Sequence, residues 1–300
     1  MGRIITVFCF ILLFACYAYP QETQPSLLIE SEPPENSLLW KITGHNLETP
    51  SYVFGTIHLI CREELVVDDR ITSALSSTDQ LVLELDLTDQ SEMMQVQQLS
   101  MNEDGLNIAS ELDEEVVGKL DELIRPHTGI GMSQAGMMKP FVIQSMVMSA
   151  RLSELCEEEL TSYENYFLEK AAEYDLPVEG LETAEFQVGL LDRIPLEEQL
   201  DQLETMVMDD RFVADQFDQL FSYYQDEKIH EMYALFQEDE MWMQYKDDLL
   251  DTRNRSWIPE MEKLIQQQPV FFAVGAGHLA GEQGVLRLLE EAGYEIKAVG

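Results

Sequence analysis

The chain has 300 residues, 45% of them hydrophobic, which is enough to bury one large core or two small ones. Its 18 basic residues stand against 57 acidic ones, so the formal net charge is −39 at pH 7. This charge repels nucleic-acid phosphates and anionic lipid surfaces, and we therefore expect no nucleic-acid partner. The same excess of acid is typical of a surface solvated in a salty environment, and it says little about catalysis.

The first 18 residues are predicted to be a secretory signal peptide. Arg3 supplies the positive start, Ile4–Ala15 the apolar stretch, and Cys16–Ala18 a small-x-small cleavage site. We therefore expect an exported protein, periplasmic or extracellular. No later segment approaches about 20 uninterrupted apolar residues, so we expect no transmembrane helix after the signal is removed. Lipid anchoring at Cys16 is the less favoured alternative, because Phe14 fits a lipoprotein cleavage box poorly.

Removal of the signal leaves two cysteines, Cys61 and Cys156. An even pair in an exported chain permits one disulfide bond. Two buried, reduced cysteines fit the sequence equally well, because nothing in it places the two side chains near each other.

Residues 19–36 are polar, contain proline and lack periodicity, which predicts a flexible leader. We expect residues 37–300 to form a single domain. Its strands are predicted at Leu38–Thr43, Ser51–Phe54, Gln80–Leu87, Leu176–Glu182, Pro269–Val274 and Tyr294–Val299. Helices are predicted at Asp69–Ser77, Ser91–Tyr174 with breaks at Gly129–Gly136 and Pro140, Pro195–Leu250, Ser256–Gln267 with a kink or restart at Pro259, and Gly284–Glu291. This alternation predicts an α/β fold, a central mixed β-sheet flanked by helices with a largely helical insertion at about 195–250.

The methionines and aromatic residues of the 195–250 region recur every three or four positions and are interpreted as core filler. We expect this region either to shape substrate access or to form a subunit contact. Its pattern favours neither, and the sequence does not indicate an oligomeric state.

Two Gly-x-x-His segments are the strongest functional signal in the chain. Gly55–His58 and Gly275–His278 each follow a hydrophobic run that predicts a buried strand. A strand that ends in glycine can turn sharply, so the histidine three residues on can enter the cleft at the carboxyl edge of the sheet. Imidazoles there favour metal ligation or acid–base chemistry. The alternative is that each histidine caps a helix or forms a hydrogen bond within the core.

Carboxylates mark two other predicted strands. Glu84 and Asp86 alternate with leucines in one strand, and Glu182 ends another. The alternatives are that Glu84 and Asp86 line the wet face of an edge strand and that Glu182 caps a helix beginning near Thr183.

Ligands bind at the carboxyl ends of strands in open α/β sheets, so we expect the two histidines and these carboxylates to converge. Neutral imidazole together with carboxylate suits zinc, manganese, cobalt or iron, and the pattern does not choose among them. Arg253 and Asn254 lie on a predicted helix, and Asn254 falls on its apolar stripe, where it either orients a carboxylate or satisfies a loop carbonyl.

These residues together resemble the motif series of the TraB/GumN family, which includes the TIKI-type metalloproteases. The matching segments run in order from about Leu38 to Val299, and they are Tyr52–His58, Leu83–Asp86, Gly180–Thr183 with Gln187, Arg253–Asn254, and Val274–Leu279 with Gly281 and Gly284. The closing Gly-Ala-Gly-His segment is the most specific of them.

The resemblance implies an α/β fold similar to that of erythromycin-esterase and ChaN-like proteins, with a metal-dependent hydrolytic site. It marks the two motif histidines and Glu84 as core positions of that site. Glu182, Arg253 and Asn254 are marked as their neighbours.

From these observations we expect an exported metal-dependent hydrolase that acts on a peptide or protein. His58 and His278 are expected to hold manganese, cobalt or zinc, with Glu84 as a third ligand or as the base. Arg253 either steadies a developing oxyanion or positions a carboxylate. The alternative is a non-catalytic protein that binds a peptide, a metal or haem in the same cleft.

Overall fold

The structure, a computed structural model, describes residues 35–209, 211–238 and 240–300. The predicted signal peptide and all but the last two residues of the predicted leader lie outside the described residues. The strands are β1 (Leu39–Thr43), β2 (Ser51–Thr56), β3 (Ile60–Cys61), β4 (Gln80–Leu83), β5 (Leu160–Thr161), β6 (Val178–Gly180), β7 (Val270–Gly275) and β8 (Glu295–Ala298).

Within the described residues, six of these strands form one mixed sheet in the order β6-β4-β7-β2-β1-β8. β6, β4, β7 and β2 are parallel, whereas β1 pairs antiparallel with both β2 and β8. Every residue of β4 and β7 is buried. Both strands are therefore largely continuous hydrophobic runs in the sequence, rather than alternations of hydrophobic and polar residues. The predicted fold class is therefore confirmed.

Helices cover the sheet and extend beyond it. They are α1 (Asp69–Ser76), α2 (Gln90–Leu99), α3 (Glu114–Thr128), α4 (Met132–Ala135), α5 (Pro140–Ser153), α6 (Tyr163–Glu173), α7 (Ala184–Leu191), α8 (Leu196–Met208), α9 (Phe212–Gln225), α10 (Ile229–Gln237), α11 (Glu240–Lys246), α12 (Thr252–Ile265) and α13 (Val285–Glu291). A π-helical segment, Asp247–Asp251, leads into α12. None of the helices in the described part of the chain has both the length and the apolar character needed to cross a membrane.

The predicted helical region, 195–250, consists of α8 to α11 and the π-helical segment. α8 packs on α3 and α5, α9 on α5 and α10, and α10 on the short 3-10 turn Ala276–His278 that follows β7. The region thus reaches the end of the sheet that carries the second Gly-x-x-His segment.

Two details of the predicted elements are wrong. The strand predicted for Gln80–Leu87 ends at Leu83, because the Asp86 carboxylate accepts hydrogen bonds from the backbone and hydroxyl of Thr88 and turns the chain. Of the kink or restart predicted at Pro259, the restart is absent, since α12 runs continuously through that proline.

A disulfide bond joins Cys61 to Cys156 across 95 residues of sequence. It links β3, which begins two residues after His58, to the segment that follows α5. β3 also pairs antiparallel with β5, which comes shortly before α6. Of the two alternatives left open by the sequence, the structure has the disulfide bond and not two reduced cysteines.

Candidate functional site

The four parallel strands all end at one edge of the sheet, and polar residues follow each of them. His58 follows β2, Glu84 follows β4, Glu182 follows β6 and His278 follows β7. The structure brings these four side chains together, as the sequence predicted from the strand ends. Asp86 does not join them, because its carboxylate caps the turn at Thr88.

Glu84 lies at the centre of this group. Its Oε1 atom is 3.9 Å from His58 Nε2 and 3.8 Å from His278 Nε2, and it accepts a hydrogen bond of 2.7 Å from the Gly275 backbone N–H. Its Oε2 accepts a hydrogen bond of 2.6 Å from Arg253 Nη2. Burial raises the pKa of this carboxyl, but Arg253 and the two histidines outweigh burial and hold it well below its usual range.

His278 is completely buried and held by Asn254. Its Nδ1 atom is 2.6 Å from Asn254 Oδ1, and the Asn254 Nδ2 donates to the carbonyl of Gln283 at 2.8 Å. Because the amide N–H group faces a carbonyl, the amide oxygen faces the ring, and Nδ1 therefore carries the hydrogen. The lone pair then lies on Nε2, where Arg253 Nη1 approaches to 3.2 Å. Burial and Arg253 lower the pKa of His278 well below its usual value.

His58 is held by Glu164, a residue that the sequence did not single out. Glu164 lies in the first turn of α6 and is buried, and its Oε1 atom accepts hydrogen bonds from His58 Nδ1 at 2.8 Å and from Thr56 Oγ1 at 2.6 Å. The other oxygen, Oε2, is buried without a hydrogen-bond partner. Burial lowers the pKa of His58, but the charges of Glu164 and Glu84 outweigh it and raise the pKa to about 9.

No sequence signal could have found Glu164. Acidic residues are common in the first turn of a helix, since they are favoured there by the helix dipole, and this one follows the N-cap Ser162 in the usual way. Glu164 approaches His58 because β3 pairs with β5. Each of these strands has only two residues, so the sequence does not predict that they pair.

Arg253 connects Glu84 to Glu182. Its side chain is 1% exposed, its Nε is 3.0 Å from both oxygens of Glu182, and its Nη2 contacts both carboxylates. Nη1 donates to the Leu249 carbonyl and contacts His278 Nε2. Burial lowers the pKa of the guanidinium, but the two carboxylates outweigh burial and raise it. All of its N–H groups are thus engaged within the chain.

Glu182 is further fixed by Trp257 Nε1 at 3.1 Å and by Gln187 Nε2 at 2.9 Å. Its side chain is 2% exposed. Three side chains of α12, Arg253, Asn254 and Trp257, thus hold the carboxylates and His278 in place rather than face solvent.

Gly275 leaves open the space between the central groups. A Cβ atom added there would lie 3.2 Å from Glu84 Oε1, 3.2 Å from His58 Nε2 and 3.6 Å from His278 Cδ2. A larger residue at the end of β7 would therefore crowd both His58 and Glu84, which would have to shift by a few tenths of an ångström.

The spacing of these residues bears on whether they can hold a metal ion. Two ligands about 2.1 Å from one ion lie at most about 4.2 Å apart, and both histidine–Glu84 pairs meet this limit. The three ligand atoms do not all lie within 4.8 Å of one another, so the two imidazoles have to approach each other when an ion binds to both. Two imidazoles and one carboxylate are ligand types that a divalent ion takes, and binding at His278 Nε2 would also replace the contact of that nitrogen with Arg253 Nη1.

Among the described residues, Cys61, Glu63 and Cys156 form the group whose potential ligand atoms all lie within 4.8 Å. Both of its sulfurs belong to the disulfide bond, so neither is a thiolate, and this group is not a metal site.

An apolar cavity adjoins the two histidines. One wall consists of residues from the two Gly-x-x-His segments, and the other consists of Leu220, Met232, Phe236 and Leu250 from the helical region. The cavity volume is about 40 Å³, far below the roughly 300–1,000 Å³ of pockets for large ligands. It does not hold a haem.

A model of the TraB/PrgY/gumN family matches residues 38–298. This chain belongs to the TraB/PrgY/gumN family. The resemblance that the motifs predicted is therefore confirmed.

The chain is also similar to an individual protein, since its sequence is 22% identical to that of the metalloprotease TIKI2 of Xenopus tropicalis. The match covers 93% of this chain and 62% of TIKI2, so the chain spans about three fifths of the length of that relative. No solved structure matches the chain significantly.

Proposed function

We propose that the chain is an exported metal-dependent hydrolase that cleaves a peptide or protein. One observation carries the proposal, namely that the Nε2 atoms of His58 and His278 both face Glu84 Oε1 at the carboxyl edge of the sheet. Membership of the family and the similarity to a protein named as a metalloprotease support the same reaction class.

His58, His278 and Glu84 would hold the ion, which the donor set allows to be manganese, cobalt or zinc. When bound, a divalent ion polarises a scissile carbonyl and lowers the pKa of water. We assign Glu84 as a ligand rather than as the base, because its Oε2 is engaged by Arg253 while its Oε1 faces both imidazoles.

The other predicted site residues act through these three. Arg253 positions Glu84, and Glu182 neutralises and orients Arg253. Asn254 fixes the tautomer and the orientation of His278, and Glu164 does the same for His58. Four of the five Arg253 N–H groups are held by Glu182, Glu84 and the Leu249 carbonyl, so we assign Arg253 to positioning. Only the Nη1 N–H that faces His278 Nε2 would be released when an ion binds that nitrogen.

Export is part of the proposal. The signal-like residues 1–18 support it, and the Cys61–Cys156 disulfide supports it too, because such bonds persist in oxidising compartments.

The test is cleavage of a proteome-derived peptide mixture by the metal-loaded protein, measured by mass spectrometry with manganese, cobalt and zinc in turn. We expect His278→Ala and Glu84→Gln to abolish cleavage while the circular dichroism spectrum stays unchanged. His45→Ala is the matched control, since His45 is exposed and hydrogen-bonds to the Ala292 carbonyl away from the site. Full activity in either site variant would overturn the proposal.

A second candidate is a protein that binds a metal or peptide without hydrolysis. It is favoured by the engagement of four of the five Arg253 N–H groups with Glu182, Glu84 and the Leu249 carbonyl, which leaves this cation at most one donor for a reacting oxygen. Stoichiometric metal binding without cleavage of any peptide would select this candidate.

A further inference from the structure

The apolar cavity beside the histidines has the composition of a side-chain pocket. Its far wall consists of four buried hydrophobic residues, Leu220 from α9, Met232 and Phe236 from α10, and Leu250 from the π-helical segment. The imidazoles of His58 and His278 lie on its near wall, so any group inside the cavity is next to the proposed reaction centre.

Two glycines allow α10 to pack closely over the site, Gly277 in the second Gly-x-x-His segment and Gly281 three residues after His278. A Cβ atom on Gly277 would lie 3.2 Å from Phe236 Cε2, and one on Gly281 would lie 2.5 Å from Tyr233 Cζ. These glycines allow the helix to pack directly on the turn that carries His278. The far wall of the cavity is therefore held at a fixed distance from that histidine.

The cavity contains no partner for a charged side chain apart from the two histidines. Burial of an unpaired charge against such a wall is strongly unfavourable, whereas an apolar cavity readily accepts an apolar group. The strong negative charge of the chain adds to the exclusion of acidic groups. At about 40 Å³ the cavity accepts one side chain rather than a length of peptide.

We propose that this cavity binds an aliphatic or methionine side chain of the substrate residue adjacent to the scissile bond. This inference rests on the proposed hydrolase function, because it is that function which places a peptide bond at the histidines. It assigns the helical region 195–250 the role of selecting the substrate, through Leu220, Met232, Phe236 and Leu250.

The test uses methyl NMR of the full chain labelled with [13C-methyl]methionine, because Met232 lies in the wall. The Met232 signal is assigned with Met232→Leu, a substitution that conserves volume. The probes are N-acetyl-leucine amide, N-acetyl-aspartate amide and N-acetyl-lysine amide. Met94, whose side chain is exposed on α2, is the control signal in the same spectra.

We expect the leucine compound to shift the Met232 signal saturably, with an apparent affinity at least tenfold higher than for either charged compound, while Met94 stays in place. Leu220→Phe, which fills the cavity from α9, should abolish the shift. An unmoved Met232 signal, or equal responses to the leucine and charged compounds, would overturn the inference.

This experiment needs neither turnover nor a metal, so the two proposals fail separately. If the leucine compound binds but the protein cleaves no peptide, the proposed hydrolase function is wrong and the proposed ligand class of the cavity stands. If the protein cleaves peptides without preferring an apolar residue on either side of the scissile bond, the proposed hydrolase function stands and the proposed side-chain pocket is wrong.

Discussion

Glu164 is the residue whose substitution tests the site most selectively, since it touches His58 without being a proposed ligand. Glu164→Gln keeps the shape of the side chain and an oxygen that can accept from Thr56 and His58, but it removes the charge from a hydrogen bond of 2.8 Å to the imidazole. The amide also places an N–H group at the position of Oε2, which has no partner. The substitution therefore weakens the orientation of His58 rather than deleting the site.

The magnitude follows from the hydrogen bond. Bonds to charged groups contribute about 1.5–3 kcal/mol and neutral ones about 0.5–1.5, so the change costs about 1.3 kcal/mol. This corresponds to about tenfold in affinity, at the low end of the roughly 10–100-fold seen when a partner of a metal-bound histidine is replaced. We expect zinc and cobalt to bind Glu164→Gln about tenfold more weakly than the wild type when both affinities are extrapolated to neutral His58 from titrations at several pH values, because the variant also loses the charge that raises the pKa of His58.

The assay is competition with a chromogenic chelator, accompanied by circular dichroism. Glu173→Gln is the matched control, because Glu173 lies on the same helix with its side chain 58% exposed. A metal affinity of Glu164→Gln within twofold of the wild type would refute the assignment of Glu164 as the residue that orients a metal-binding His58.

Three further substitutions probe the groups around the site. Gly275→Ala should weaken metal binding and lower the free energy of unfolding by about 1–3 kcal/mol, since its Cβ would crowd Glu84 and His58, and calorimetric titration measures the binding. Arg253→Met should lower the free energy of unfolding by about 3–5 kcal/mol in urea denaturation, because it leaves buried carboxylates unpaired. Cys61→Ser together with Cys156→Ser should lower it by about 2–5 kcal/mol and also weaken metal binding, because the bridge secures the segments that carry His58 and Glu164.

The glycine and arginine variants each have a control in the chain. Gly118→Ala, at a helical glycine with no heavy atom near a new Cβ, should leave metal binding unchanged. Arg255→Met, at an exposed arginine, should change the free energy of unfolding by no more than about 0.5 kcal/mol. The reasoning about Gly275 is contradicted if Gly275→Ala binds metal as strongly as the wild type. The reasoning about Arg253 is contradicted if Arg253→Met lowers the free energy of unfolding by less than 1 kcal/mol. The reasoning about the disulfide is contradicted if the variant without it keeps the wild-type metal affinity.

The sheet and its polar edge were predictable because the signals are local. A hydrophobic run that ends in glycine and is followed by histidine specifies both a buried strand and the position of its side chain beyond the strand end. Gly55–His58 and Gly275–His278 carry this signal, and the structure brings their histidines to either side of Glu84.

The remaining parts depend on contacts between distant segments, which local patterns do not encode. The proximity of Cys61 to Cys156 and of Glu164 to His58 arises from the pairing of β3 with β5. The uniform helical spacing of 195–250 likewise does not reveal that Phe236 packs against Gly277. The strand predicted through Leu87 was wrong because the turn at Asp86 competes with extended structure through its own side chain.

The most direct test of the central claim is metal analysis of the purified protein after exchange into metal-free buffer and titration with manganese, cobalt and zinc. The wild type and the control His45→Ala/His230→Ala, which alters histidines outside the site, should each bind one ion per chain. The variant His58→Ala/His278→Ala should bind none while it stays folded. Absence of binding in the wild type, or one ion per chain retained in the His58→Ala/His278→Ala variant, would contradict a metal at the carboxyl edge of this sheet.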